Sequence, residues 1–231
     1  MLVCLLLLSS CSSALPWRDE PVGDEVNVAF TTQNNLLFLT NATINGRRGR
    51  FFFGSADPRS VVDPRVVQAV GGPQPSLKLQ LGDRVTFPFN PVSLDLGAAG
   101  DALIGADVWG NHVVTIDYRS GLLIYQKSAM QPAYMRTFRY SGGPAVDVSV
   151  DGRTIGAIVD TALPDTIVLP RATAGRGTAH VAFGGADFGK IDVKYANVAQ
   201  ARVGNRLLSK FLVSIDYGSK TVGLWRDPRI Q

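Results

Sequence analysis

The sequence predicts an all-β fold made of two homologous halves, and three observations carry that prediction. First, runs of Val, Ile, Phe and Thr alternate with Gly, Pro, Asn and Asp, and no stretch has the period of a long amphipathic helix. Second, residues 41–65 moved forward by 106 positions lie without a gap on residues 147–171, which puts Gly46 on Gly152, Arg47 on Arg153, Ala56 on Ala162, Pro58 on Pro164 and Pro64 on Pro170. Third, residues 113–120 match residues 212–219 at an offset of 99, and Ile104-Gly105 falls on Val203-Gly204 at that same offset. Each half then repeats one programme: strand, Asn-Gly or Asp-Gly turn, strand, loop, variable hairpin, apolar-apolar-Gly, final hairpin.

Taken in order, residues 1–14 read as an export leader. The run from Leu2 to Leu8 is apolar but too short to span a bilayer, and small residues follow it. Leu8-Ser9-Ser10-Cys11 is similar to a bacterial lipobox, which makes Cys11 the lipidation site and anchors the chain to a membrane of the bacterial cell envelope. The alternative is cleavage after Ala14, giving a periplasmic or secreted protein. Cys4 and Cys11 are the two cysteines, both in the leader, so the mature body is stabilised by its core rather than by disulfides. Residues 15–25 are a polar tether.

Residues 26–130 form the N-terminal half and residues 131–231 the C-terminal half, with the boundary between Lys127 and Gly143. Short helices are expected near residues 63–70, 107–111 and 205–210. Residues 77–89 alternate around Gly82-Asp83 as a hairpin, whereas residues 178–195, with Gly184-Gly185 and Gly189, suggest a mobile loop. The net charge of +4 is dispersed. Arg47, Arg48 and Arg50 read as a solvated hairpin turn, since no aromatic interleaving accompanies them, so no nucleic-acid partner is expected. His112 and His180 have no ligand-type neighbours at metal spacing, so neither a metal nor a cofactor is expected.

The chemistry centres on Gly156–Pro170. Ala157, Ile158 and Val159 read as a buried strand that delivers Asp160 to a turn, and a carboxylate brought in by an apolar strand is costly to bury unless it is hydrogen-bonded or chemically employed. Asp160-Thr161-Ala162, with Arg202-Val203-Gly204 and Leu207-Leu208 downstream, resembles the Asp-Thr-Gly and hydrophobic-hydrophobic-Gly pair of the clan AA aspartic peptidases, the retropepsins and pepsins. The resemblance covers about residues 26–226. It implies an acid-protease fold of two β-barrel-like lobes, each giving one aspartate to a shared site that takes peptide in an extended conformation. Asp160 and Thr161 are the candidate catalytic residues.

The first half departs from that pattern. Its equivalent loop reads Phe53-Gly54-Ser55-Ala56, so Gly54 and Ser55 form a degenerate partner loop with glycine where a second aspartate is needed. Asp57, three residues on and matching Leu163, reads as turn chemistry aimed elsewhere. Ala56 and Ala162 stand where the family has glycine and would crowd a position needing positive φ. Asp160 is therefore expected to be a lone ionised carboxylate without a like-charged neighbour.

What the resemblance implies about activity divides in two. The expected reading is an exported aspartic-peptidase-like pseudoenzyme, inactive or weak, that binds extended peptide in the inter-lobe groove. The alternative is an active aspartic endopeptidase, a hydrolase whose second aspartate comes from a homodimer partner.

Overall fold

The computed structural model describes residues 25–82, 85–110, 112–126 and 134–226. The leader with Cys11, nearly all of the tether, the start of the boundary segment, Asp83, Arg84, Asn111 and residues 227–231 lie outside them.

The repeat becomes a twofold relation at one pair of strands. β10 (Val113–Asp117) and β19 (Leu212–Asp216) are equivalent at the offset of 99, and they pair antiparallel with Val113 opposite Asp216 and Asp117 opposite Leu212. Only one pair of equivalents then lies face to face, Thr115 opposite Ser214, and their hydroxyls are 2.8 Å apart and buried. An internal duplication can join its halves through a sheet in this way because antiparallel pairing of two like strands is self-complementary about its midpoint.

Each half adds to that centre. β11 (Leu122–Gln126) pairs with β10, and β20 (Thr221–Trp225) with β19. β1 (Val26–Gln33) then lies on β11 and β12 (Arg136–Arg139) on β20 in matching register, Val26 opposite Tyr125 and Arg136 opposite Leu224. β1 continues into β2 (Leu36–Leu39), which carries the sheet into the first lobe. One apolar core runs from Val28 and Phe51 through Val114, Ile116, Val213 and Ile215 to Val148 and Val181.

Inside each lobe the chain makes the same crossing. β4 (Phe51–Phe53) runs parallel to β9 (Ala102–Ile104), and β5 (Val61–Val62) antiparallel to it on the other side. In the second lobe β14 (Arg153–Val159) is parallel to β18 (Ala201–Val203), and β15 (Ile167–Pro170) antiparallel. The loop between the two outer strands must therefore pass over the end of the inner one. The apolar-apolar-Gly motif follows from that crossing. A Cβ on Gly105 would lie 2.7 Å from the Asp57 carbonyl oxygen, and one on Gly204 would strike the Asp165 and Leu163 carbonyl oxygens, so only glycine admits the loop.

The short helices fall where expected: α1 (Pro64–Ala69), α2 (Ala106–Trp109) and α3 (Asn205–Leu208). Asp63 caps α1, with Oδ1 accepting from the Arg65 amide at 2.9 Å and its guanidinium at 2.7 Å; this pairing holds the Asp63 carboxyl well below the usual carboxylate range. The hairpin expected at residues 77–89 forms from β6 (Leu77–Leu81) and β7 (Val85–Phe89) and pairs with β3 (Ala42–Ile44).

The expectation of a mobile loop at residues 178–195 is corrected. β16 (Gly175–Phe183) and β17 (Ala186–Ala196) form a long hairpin closed by Gly184 and Gly185, whose φ angles of 59° and 84° suit a tight primed turn. Glycine spacing signalled the turn correctly, but nothing in the residue pattern indicates that the flanking strands are held on both sides. β13 (Ala145–Val150) and β15 close them into a six-stranded barrel.

The Thr115–Ser214 contact is open to a double-mutant cycle. Either Thr115→Val or Ser214→Ala alone leaves one buried hydroxyl unpaired and is expected to cost about 1–3 kcal/mol in denaturant unfolding. The double variant is expected to cost less than the sum of the two. Additive losses would mean that the hydroxyls at the twofold centre are not coupled.

Candidate functional site

The two equivalent loops meet at the lobe junction. Each follows the inner parallel pair of its lobe: the Gly54 amide donates to the Ile104 carbonyl at 3.0 Å, and the Asp160 amide to the Val203 carbonyl at 2.9 Å. The loops are then clasped by four reciprocal bonds. Ser55 N–H donates to Thr161 Oγ1 at 2.8 Å, and Thr161 N–H to Ser55 Oγ at 3.1 Å. Ser55 Oγ–H donates to the Val159 carbonyl at 2.6 Å, and Thr161 Oγ1–H to the Phe53 carbonyl at 2.9 Å. Both hydroxyl residues are fully buried. Each hydroxyl both donates and accepts, so buried backbone groups of one lobe are satisfied by the other.

Further bonds cross the same junction. Asn205, at the start of α3, donates through Nδ2 to the Thr161 carbonyl at 2.6 Å and to the Asn35 carbonyl at 2.5 Å, while its Oδ1 accepts from the Tyr118 hydroxyl at 2.8 Å. Tyr217, the repeat equivalent of Tyr118, donates its hydroxyl to the Ser55 carbonyl at 3.1 Å. Burial pushes the hydroxyl pKa of both tyrosines far up. The closure lies within one chain, so pairing two Asp160 loops across a dimer axis would require opening it.

Asp160 is buried at 3% exposure. Its Oδ1 accepts from the Ala162 amide at 3.0 Å and its Oδ2 from Arg202 Nη1 at 2.8 Å, and the Arg202 side chain remains 45% exposed. Arg202 occupies the position equivalent to Leu103 in the first lobe, and Leu103 stands behind Gly54. The mismatch lay in plain view inside the Arg202-Val203-Gly204 triplet, and a charge opposing an apolar equivalent was the signal that could have found it.

Asp57 corrects the expectation set for it. Its carboxyl does not point away: a Cβ placed on Gly54 would lie 2.5 Å from Asp57 Oδ2. Burial first and the nearby Asp160 charge second push the Asp57 pKa up, with Arg202 pulling it back. Asp160 therefore has a like-charged neighbour after all. Strand alternation misplaced Asp57 because the chain has already left the strand at Gly54, and alternation carries no information through a turn.

The crowding expected at the two alanines is also corrected. The non-glycine residues with positive φ among the described residues are Asn34, Asn35, Asn45, Asp151 and Lys220, so neither Ala56 nor Ala162 needs a left-handed backbone. The Ala162 methyl instead packs onto a satellite apolar cluster of Phe38, Phe52 and Leu103. These side chains alternate along β2, β4 and β9 with Leu37, Phe53 and Ile104, which face the main core. The first-lobe sheet is thus apolar on both faces, and the outer one lies beside the site.

Comparison with solved structures finds the crystal structure of aspartic proteinase from Irpex lacteus, with a TM-score of 0.60 and 10% sequence identity, covering 88% of this chain and 98% of that one. No protein-family model matches the chain, and a search of curated proteins found no match. The likeness is one of fold, an all-β acid-protease architecture of two lobes.

Thr161→Val would remove one donor and one acceptor of the clasp and is expected to lower unfolding free energy by about 2–4 kcal/mol in denaturant titration; a loss below ~0.5 kcal/mol would show that the lobes hold together without it. Asp57 gives a pH signature. Its folded pKa lies above the ordinary 3.8, so below that ordinary value it is protonated in both states and costs nothing. As pH rises through the folded value, the ionised form carries a penalty that asparagine lacks. Asp57→Asn is expected to raise Tm at pH 7 and leave it unchanged near pH 3, read by differential scanning calorimetry.

Proposed function

We propose that this chain is an exported aspartic-peptidase-like protein that holds an extended peptide segment in the inter-lobe groove and hydrolyses it weakly. The observation that carries the reading is the clasp itself: Ser55 and Thr161 keep the paired-loop geometry while Gly54 withholds the carboxylate that would stand opposite Asp160. Aspartic-type hydrolysis needs one carboxyl to take a proton from water and another to give one to the substrate carbonyl. With glycine at the equivalent position and Asp160 engaged by Arg202, efficient turnover is not expected. Binding needs neither, because an extended segment is held mainly through its backbone and through pockets for alternate side chains.

The half-buried Leu36, Val61, Leu96 and Ala162, packed over the buried Phe38, Phe52 and Leu103 beside the loops, favour a segment with an apolar residue at its centre. Export follows from the apolar run and the lipobox-like Leu8-Ser9-Ser10-Cys11, with lipid attachment at Cys11 as the mode of membrane association. The homodimer reading draws no comparable support, since it would exchange the intact intrachain clasp for an unseen one.

A fluorescently labelled peptide of about eight residues with a central Leu or Phe is expected to bind the purified chain in anisotropy titrations. A version with proline at alternate positions, which lacks the backbone donors, is expected to bind at least tenfold more weakly. Turnover of the same peptide is expected well below the ~1 s⁻¹ lower bound of ordinary enzymes. Equal affinity for both peptides would dismiss an extended, backbone-read ligand.

A further inference from the structure

We propose that Asp57 supplies the second carboxyl of this site, standing where the side chain of residue 54 would begin, and that the weak hydrolysis is carried by Asp57 together with Asp160. The inference rests on the groove reading above and names the residue that the first lobe uses in place of the one it lacks.

The geometry has three parts. The 2.5 Å between Asp57 Oδ2 and a Cβ on Gly54 is closer than carbon and oxygen can approach without bonding, so the two side chains compete for one volume. Glycine at 54 is what leaves the Asp57 carboxyl its room. The Asp57 backbone is also fixed, its carbonyl accepting from the Ala106 amide at 2.7 Å at the start of α2. A carboxyl on this anchored turn is held by the same crossing that positions the first loop. Leu163, its repeat equivalent, carries no charge, so the first lobe has its acid at 57 and the second has its acid at 160.

Three titratable or charged groups face Asp57 from the surrounding elements: Asp160 at the end of β14, Arg202 on β18, and the Tyr217 hydroxyl just after β19. Arg202 neutralises one carboxylate. With both aspartates ionised the cluster carries one net negative charge, and with Asp57 protonated it carries none. Burial favours the second state and divides the labour between the acids.

The hydrolytic step then balances. Asp160, as carboxylate, takes a proton from water while the water oxygen bonds to the peptide carbonyl carbon, and protonated Asp57 gives its proton to the carbonyl oxygen. In the resulting gem-diol, Asp160 returns its proton to the amide nitrogen, Asp57 takes one from a hydroxyl, and the C–N bond breaks. Both carboxyls end in their starting states, and the products are a carboxylic acid and an amine.

The test measures binding and cleavage of the apolar-centred peptide by the purified full-length chain from pH 3 to 7. Wild type is expected to cleave in the acidic range and to slow as pH rises through the Asp57 titration. Asp57→Asn is expected to lose at least 50-fold in cleavage while its affinity stays within twofold, and calorimetry verifies that it folds. Gly54→Asp combined with Asp57→Ala, which moves a carboxyl back to the loop, is expected to recover cleavage above the level of Asp57→Asn. Asp57→Asn retaining more than a fiftieth of the wild-type rate would overturn the inference, as would a wild type that binds peptide and never cleaves it; either result leaves peptide binding in the groove standing. Peptide binding by no variant, wild type included, removes the groove reading and this inference with it.

Discussion

The structure depends on two buried hydroxyl residues that each solve a problem the other creates. A loop that leaves a strand inside a protein strands its backbone amides and carbonyls away from water, where each unpaired group costs about 1–3 kcal/mol. Ser55 and Thr161 answer that cost across the lobe junction, each accepting an amide and donating to a carbonyl of the opposite loop. For these groups each lobe relies on the other. The crossing strands, the glycines that admit them and the antiparallel seam at Thr115 and Ser214 all bring these two short segments to one point.

Around that point the halves have kept their frame and exchanged their chemistry. Gly54 faces Asp160, Leu103 corresponds to Arg202, and Asp57 corresponds to Leu163. The backbone bonds beneath them are the same in both lobes, Gly54 to Ile104 and Asp160 to Val203. Hydrogen bonds made by the main chain tolerate any side chain that fits, so the scaffold persists while carboxylate, cation and apolar group are redistributed over it. The first lobe accordingly buries Phe38, Phe52 and Leu103 under a half-buried apolar layer of Leu36, Val61, Leu96 and Ala162, and the second presents a guanidinium.

Much of this was legible in the chain. The offsets of 106 and 99 are enough to name the equivalent loops and the matching final hairpins, whereas the pairing of those hairpins through β10 and β19 is seen in the structure alone. The hydroxyls of Ser55 and Thr161 could be named from the same offsets. The placement of Asp57 was not legible, because a turn discards the alternation that tells a reader which way a strand residue points. Nor was the barrel around β16 and β17, since glycines that mark a sharp turn and glycines that mark a slack loop are spelled alike. Arg202 was legible only by comparison with Leu103, as a charge occupying a hydrophobic address. Asn205 offered no sequence signal, because its equivalent is Ala106 and its three partners come from separate segments of the chain.

The seam between β10 and β19 also sets an order of events in time. β10 is complete by Asp117, but the strand that covers its open side begins only at Leu212. A ribosome adding ~5–20 residues per second needs roughly 5–20 s to make the intervening chain. Throughout that interval the first half presents Val113, Val114, Thr115 and Ile116 as a bare strand edge, the kind of surface that captures other strands. The segment that carries the molecular axis in the finished protein is therefore an adhesive edge while the chain is being made.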